Sequence, residues 1–316
     1  MMLGSIVSAL AVSGGGVCAH GAEISDVGYQ RISYQGKNYD YNSRITVVMY
    51  VGIDSGGELT TYNRYSIAPR ADTIDLLILD DYHKTIKFLG ISRDTIATIN
   101  RYAMDGTQRN SYETQIGYAF SYGDGGKASC LNLSDAVSDL LGGVPIHEYV
   151  VTNNESIVRA NDFVGQVTVT VPNNDLVELF PEMTEGSTVT LDASNVDSFV
   201  RYRDISIPFT NQGRMERQEA YITEYFKKMR DMIVSDPENA WKQMESMKSD
   251  FMTSITKNQY LKLANLIAEE SFTDDNYFYL AGENVQEELH DAVYLKEDEL
   301  QEMILELFYL EDGVDG

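Results

Sequence analysis

Residues 70–95, Arg-Ala-Asp-Thr-Ile-Asp-Leu-Leu-Ile-Leu-Asp-Asp-Tyr-His-Lys-Thr-Ile-Lys-Phe-Leu-Gly-Ile-Ser-Arg-Asp-Thr, constrain the fold more than any other stretch of this chain. Thr73–Leu79 is rich in isoleucine and leucine. Thr85–Ile91 sets Ile86, Phe88 and Gly90 against Thr85, Lys87 and Leu89, and the polar run Asp80–Lys84 lies between the two. Two such segments joined by polar residues form a β-hairpin. Folded near Tyr82, the hairpin sets Asp72 opposite Arg93, with Arg70 and Asp94 close by. Two guanidinium groups and two carboxylates then share one edge of a sheet. Carboxylates hold hard divalent cations and guanidinium forks match phosphate oxygens, so this edge suggests a phosphate site with a metal. On the hairpin alone, a pair of salt bridges at a strand end accounts for the same residues.

The chain has 316 residues and a formal net charge of −25, enough length for one large domain or two small ones. Its hydrophobic content of 43% suits a packed globular protein. Such acidity repels DNA, RNA and anionic membrane faces as main partners, and it makes a cluster of arginines more informative. Cys18 and Cys130 are the only cysteines, far apart in sequence, so neither a structural disulfide nor a thiolate metal site is expected. His20, His83, His147 and His290 have no ligand spacing to one another, and no Gly-x-Ser-x-Gly elbow is present. Zinc chemistry and a Ser-His-Asp triad are therefore not expected.

Met1–Val12 is apolar but shorter than the roughly 20 residues of a membrane span, and no basic residue precedes it. Together with Gly14–Gly16 it reads either as the remnant of an N-terminal anchor or as a plain N-terminal tail. Arg44–Ile53 reads as a buried central strand ending at Asp54, before the flexible Ser55-Gly56-Gly57. An acid at that place marks many sites in open α/β sheets, and is as often a turn residue. Asn110–Tyr122 has helical spacing at Ile116 and Phe120. The following Gly123–Lys127 fails as a phosphate-binding loop, because Ser121 and Ala128 stand where that motif needs Gly and Ser or Thr. Leu133–Leu141 is predicted as a helix stopped by Gly142-Gly143, and Leu191–Arg203 as another with Arg201 and Arg203 at its C-terminal end. Gly213 opens a helix to about Val234. Its Arg214 and Arg217 lie in the first turn, where cations oppose the helix dipole and a bound anion would explain them. Beyond Asp236-Pro237 the chain carries much of the acidic excess, read as a solvated face, on helices over Asn239–Met247, Asn258–Glu270 and Glu297–Phe308 and short strands at Tyr277–Leu280 and Ala292–Leu295.

Taken in order, these segments resemble the LytR-CpsA-Psr family of bacterial cell-envelope enzymes over roughly Arg44 to Val234. The family's strand ending Gly-x-Asp is similar to Gly52-Ile53-Asp54, and its Arg-x-Asp-Thr to Arg70-Ala71-Asp72-Thr73. Its Pro-Arg-Asp-Thr is matched by Ser92-Arg93-Asp94-Thr95, with serine in place of proline. Its Tyr-Ala-Tyr-Gly resembles Tyr118–Gly123, and its Leu-Leu-Gly-x-Pro-Ile resembles Leu140–Ile146. Its last two motifs are matched by Phe199-Val200-Arg201-Tyr202-Arg203 and Gly213-Arg214-Met215-Glu216-Arg217-Gln218. Ile205–Gln212 is a longer spacer before the last arginine pair.

The resemblance implies an α/β fold with a central mixed β-sheet flanked by helices, over residues 43–235. Residues 1–42 would be an N-terminal tail with a possible truncated anchor, and 236–316 an acidic α+β extension. It implies transfer of a phospho-glycan from a polyprenyl-pyrophosphate carrier to peptidoglycan, at the outer face of the cytoplasmic membrane, with release of polyprenyl phosphate. The membrane is reached through the lipid substrate, and no nucleic acid partner is implied. Asp54 and Asp72 would hold Mg²⁺ or Mn²⁺. Arg70, Arg93, Arg201, Arg203, Arg214 and Arg217 would line the pyrophosphate, with Asp72 and Arg93 at the reacting centre and Asp94 orienting Arg93 from behind. Phosphoryl transfer needs little beyond positioning and charge stabilisation, which such a set supplies. Met49, Ile99, Phe120 and Phe199 are candidates for a lipid channel or plain core residues. A pyrophosphatase acting on the same lipid, and a non-catalytic envelope protein binding lipid or glycan, are the alternatives. Teichoic acid, capsule and other wall polymers all remain open as the glycan.

Overall fold

The computed structural model describes residues 22–24, 30–56, 59–204, 206–288 and 290–313. The apolar segment Met1–Val12 lies outside the described residues. In chain order, β1 (Ala22–Ile24), β2 (Arg31–Tyr34) and β3 (Lys37–Tyr41) precede the core strands β4 (Ile45–Ile53), β5 (Ala71–Asp80) and β6 (Thr85–Gly90). The hairpin β7 (Ile96–Tyr102) and β8 (Gln108–Gln115) leads to α1 (Tyr118–Ser121) and α2 (Lys127–Leu140). Next come β9 (Glu148–Asn153), α3 (Ser156–Phe163), the small ladder of β10 (Thr168–Thr170) with β11 (Thr188–Thr190), α4 (Val196–Arg201) and α5 (Asn211–Ser235). The remainder is α6 (Pro237–Ser246), β12 (Phe251–Thr253), α7 (Lys257–Glu269), β13 (Tyr277–Tyr279), β14 (Gly282–Gln286), β15 (Asp291–Leu295), α8 (Glu297–Phe308) and β16 (Tyr309–Glu311).

The central sheet runs β12-β9-β4-β5-β6-β13 and is mixed: β4 pairs parallel with β9 and antiparallel with β5, and β6 pairs parallel with β13. Both faces are covered, which is why β4 and β5 are almost continuously apolar rather than alternating. Val47, Met49, Val51, Ile74, Leu76 and Ile78 pack into a core with α2 and α8. Val48, Leu79 and Phe88 pack on the opposite face with α5, α6 and α7. The expected fold class, a central mixed sheet flanked by helices, is the one observed.

The hairpin has the expected register. Asp80 pairs with Thr85 and Asp75 with Gly90. At the turn, Asp80 Oδ1 accepts the N–H groups of Tyr82 and His83 at 3.0 and 3.1 Å, an Asx turn that fixes the fold-back point.

The β4–β5 ladder is broken at one place. Gly52 pairs with Thr73 but Ile53 pairs with Ala71, so Asp72 is the extra residue of a β-bulge. Strict alternation from Ile78, Leu76 and Ile74 would send Asp72 into the apolar core. The bulge gives that place to Ala71, which is fully buried, and turns Asp72 to the face carrying Thr73 and Asp75.

Several expectations are corrected by long-range pairing. Gln108–Gln115 is a polar strand paired with β7, not a helix, and the spacing of Ile116 and Phe120 comes from the short α1 behind it. The helix expected from Leu191 begins at Val196, because Asp192 instead accepts the N–H of Ser194 in a turn. The Gly-rich loop before α2 holds its own anion: Asp124 Oδ1 accepts the N–H groups of Gly126 and Ala128 at 2.8 and 3.2 Å. Residues after 235 do not stand apart, since β12 and β13 form both edges of the central sheet and β16 pairs with β3. Gly90 permits this, because a Cβ there would lie 2.7 Å from the Tyr279 ring. Among the described residues, no helix is long and apolar enough to cross a membrane.

Candidate active site

The bulge and the far end of the hairpin meet. Arg93 Nη1 is ion-paired with Asp72 Oδ1, as continuation of the β5–β6 register requires. Arg70 Nε lies 3.8 Å from the same oxygen, and Arg214 Nη1 lies 3.7 Å from Asp72 Oδ2. Arg214 also donates to the Asp72 carbonyl at 3.2 Å and to Asn211 Oδ1 at 2.7 Å. Asp94 sits behind Arg93, its Oδ1 3.5 Å from Arg93 Nε. Gln115 and Asn211 donate to the two Asp94 oxygens at 2.8 and 3.0 Å, so its carboxylate is fixed. Arg70 stacks over the Tyr118 ring and donates to Gln115 Oε1 at 3.2 Å. Gly117 lets α1 approach this group, since a Cβ there would lie 2.6 Å from the Ala71 carbonyl.

Arg203 joins from the end of α4. Burial first, and then the neighbouring Arg93 and Arg70, hold its guanidinium below the ordinary arginine range, while Asp94 and Asp72 act in the opposite sense. Among the described residues it has no ion-pair partner of its own. Burial, with Arg93 and Arg203 adding to it against Asp72 and Asp94, pushes Arg214 down to about 10. At close range four guanidinium groups thus gather around the two carboxylates of Asp72 and Asp94, with Glu287, Glu288 and Asp291 lining the chamber beyond them. The Nε groups of Arg93 and Arg214 are buried without a hydrogen-bond acceptor. Buried guanidinium N–H groups without an acceptor are unfavourable, so the arrangement is one that an anion stabilises.

Two of the expected arginines make no ion pair with Asp72 or Asp94. Arg201 is exposed and paired with Asp197 one turn earlier, at 2.8 Å. Arg217 is fully buried, and protein groups take up its guanidinium. Its Nε donates to the Phe199 carbonyl at 2.9 Å, Nη2 to the Tyr202 carbonyl, and Nη1 to Asn173 and Asp175. The physical reason is that α5 begins at Asn211 rather than Gly213, which places Arg217 in the second turn against the end of α4. There the last carbonyls of α4 lack intrahelical donors. Gln218 adds to this, donating to the Val200 carbonyl and to Thr73 Oγ1, both at 3.0 Å. Arg217 therefore positions Tyr202 and Arg203 rather than reaching the cluster itself.

Asp54 ends β4 beside the start of β5, its N–H donating to the Arg70 carbonyl at 3.0 Å. Its exposed carboxylate is 3.4 Å from Asn154 Nδ2 and pairs with no cation among the described residues. Asn154 lines the same cavity as Asp72. Among the described residues no group of three or more His, Cys, Asp or Glu is arranged to hold a metal. Asp54 and Asp72 stand at neighbouring strand ends, and magnesium commonly takes one or two carboxylates with phosphate oxygens completing its shell.

The arginine cluster lies between two chambers. On one side is an apolar cavity of about 500 Å³, between the sheet face of Val48, Leu77, Phe88 and Val150 and helices α5, α6 and α7, with Asp72, Arg201, Arg214 and Gln218 among its polar lining. On the other is a polar chamber of about 420 Å³ lined by Arg70, Arg93, Arg203, Gln115 and the Gln286–Glu288 and His290–Asp291 stretches. The lipid-channel candidates Met49, Ile99, Phe120 and Phe199 line neither; all are buried core residues. Reading the sequence for apolar residues could not separate a cavity wall from packed core. The same reading missed Gln115, Asn211, Gln218 and Asp75. Of these only Asp75, an acid in the middle of an apolar strand, carries a local signal.

A model of the LytR_cpsA_psr family matches residues 21–307, well past the stretch that carries the motif resemblance. Among solved structures, B. subtilis TagV is similar at 20% identity over 83% of this chain and 96% of its own, with a TM-score of 0.60. TagT bound to LIIa-WTA is similar at 19% identity over 84% and 90%, with a TM-score of 0.61. Protein gbs0355 from Streptococcus agalactiae is similar at 18% identity over 84% and 88%, with a TM-score of 0.64. At this identity the likeness is one of fold. No curated protein matches the chain.

Proposed function

The chain belongs to the LytR-CpsA-Psr family, and from that premise we propose that it transfers a phospho-glycan from a polyprenyl-pyrophosphate carrier to a peptidoglycan hydroxyl, releasing polyprenyl phosphate. The observation that carries the proposal is the gathering of Arg70, Arg93, Arg203 and Arg214 at the junction of an apolar and a polar chamber. A molecule with an apolar chain, a diphosphate and a sugar matches that sequence of environments. The solved complexes of TagT with LIIa-WTA and LI-WTA make a wall teichoic acid the glycan class to try first.

In this reading the lipid occupies the cavity under α5, and Arg70, Arg93, Arg203 and Arg214 contact the diphosphate oxygens. The acceptor hydroxyl enters from the polar chamber. As the bond between the phosphates breaks, charge grows on the departing phosphate, and preorganised guanidinium groups in a partly dry site stabilise it. Asp72 holds three of these arginines in place, and Asp94 holds Arg93 from behind. Asp54 and Asp72 would hold a magnesium ion, which supplies further charge neutralisation at phosphate oxygens. The lipid donor would place the reaction at the outer face of the cytoplasmic membrane.

The test is incubation of the protein with a polyprenyl-pyrophosphate-linked glycan, with and without peptidoglycan. Glycan covalently attached to peptidoglycan, together with released polyprenyl phosphate, is the expected result. Equal release of polyprenyl phosphate in the absence of peptidoglycan would show a pyrophosphatase instead. Binding without turnover would show a carrier protein.

A further inference from the structure

Asp75 is an acid in a wall of apolar residues. It is 4% exposed, and its strand neighbours on the same face are Leu77 and Leu79. Tyr277 of β13 donates its hydroxyl to Asp75 Oδ1 at 2.5 Å, while Oδ2 is buried with no partner. No ion pair among the described residues involves it. The residue borders two spaces at once. One is the apolar cavity, which it shares with Asp72, Arg214 and Gln218. The other is a narrow crevice leading to Asp72 and Arg93. With the tyrosine fixed on Oδ1, the unpartnered Oδ2 is the oxygen left to carry a proton, on a residue that lines both spaces.

We propose that Asp75 is a catalytic acid, giving its proton to the lipid-linked phosphate as that group departs. The inference rests on the transferase reading above. In the step, the acceptor oxygen bonds to the glycan-side phosphorus and the bond from that phosphorus to the bridging oxygen breaks. Its electron pair stays on the bridging oxygen, now part of the lipid phosphate, which takes the Asp75 proton. The acceptor's hydroxyl proton passes to solvent, and a proton from solvent restores Asp75, so atoms and charge balance.

The surroundings suit this role. Burial raises the Asp75 carboxyl to about 7, the Tyr277 hydrogen bond opposes that rise, and Glu219 adds to it. The titratable groups that act on it are Tyr50 from β4, Tyr277 and Tyr279 from β13 and Glu219 from α5, while Asp72, Arg93 and Arg214 line the same two spaces. An acid that titrates near the working pH is both protonated enough to donate and acidic enough to release.

The experiment is Asp75→Asn, which keeps an oxygen for the Tyr277 hydroxyl and adds no charge, but has no proton to deliver. Transfer should fall by about 100-fold in kcat, the lower range for a catalytic acid, with KM near wild type. The wild-type kcat should decline as pH rises through about 7, and the variant should lack that decline. Wild-type kcat in the variant, or the same decline in both proteins, would overturn the assignment. A second measurement needs no turnover: the infrared carbonyl band of the protonated Asp75 carboxyl, identified by its loss in Asp75→Asn, should shift when farnesyl phosphate is added. An unmoved band would also overturn it. A protein that shifts the band yet attaches no glycan to peptidoglycan supports the Asp75 contact and overturns the transferase reading.

Discussion

Asp72 has no partner on β4 and takes its counter-charge from Arg93, the residue that the β5–β6 register places across from it. The bulge frees the carboxylate and the hairpin supplies the cation, so one local irregularity builds the centre of the cluster. Removing Arg93 takes the nearest cation from Asp72 and Asp94, while Arg70 and Arg214 stay beside Asp72 and the Gln115 and Asn211 hydrogen bonds stay on Asp94. Arg93→Ala should therefore lower unfolding stability by about 1–3 kcal/mol, the cost of removing one partner from a buried polar group, as measured by urea titration.

Arg203 and Arg201 should separate cleanly. Arg203 faces the cluster and has no ion-pair partner of its own among the described residues, so Arg203→Ala should reduce transfer by about 10²–10³-fold while moving stability by less than about 0.5 kcal/mol. Arg201 is an exposed partner of Asp197, and Arg201→Ala should cost roughly 0.3–0.5 kcal/mol of stability. Its effect on transfer should be much smaller than that of Arg203→Ala. Parallel kcat/KM and thermal denaturation measurements check both.

Arg217 should behave as a structural residue with an activity phenotype. Its guanidinium joins the end of α4 to the Asn173–Asp175 loop, and a lysine cannot reproduce that planar fork. Arg217→Ala and Arg217→Lys should both destabilise the fold, the alanine variant by about 3–5 kcal/mol. Loss of transfer should follow the unfolded fraction and recover at lower temperature.

Stability should fall as pH rises from about 5 to about 8. Glu270 is 1% exposed with both carboxyl oxygens unpartnered, and burial, with Asp80 and Asp81 nearby, raises it to about 8. Asp75 is raised to about 7. Both folded values lie above the unfolded ones, so the native state keeps protons that the unfolded chain has already lost. Linkage then makes unfolding easier as pH rises through this window. Glu270→Gln should flatten the upper part of a Tm-versus-pH curve, and Asp75→Asn the part below about pH 7. A Tm that climbs over this range would contradict the assignment.

The apolar cavity should set which lipid is accepted. Ile222 of α5 lines it, and Ile222→Trp would fill part of it. The KM for a long polyprenyl donor should rise roughly tenfold, equal to about 1.4 kcal/mol of binding, while a short geranyl donor is unaffected. Kinetics with the two donors give the comparison.

What could be read from residues alone was local. A polar turn and two apolar runs fix where a hairpin folds, and that sets the Asp72–Arg93 pairing by counting. The motif order from Gly52-Ile53-Asp54 to Arg214–Gln218 was equally legible, because it depends only on neighbours in the chain. Tertiary structure decided the remainder. Arg214 and Arg217 look equivalent in sequence, yet one reaches Asp72 and the other disappears into the end of α4. The difference depends on where α5 starts and on carbonyls from a separate helix. The bulge at Asp72, the insertion of β13 beside Gly90 and the cavity under α5 have the same origin. Each arises from contacts between segments far apart in the chain, and no local pattern of residues encodes where such segments meet.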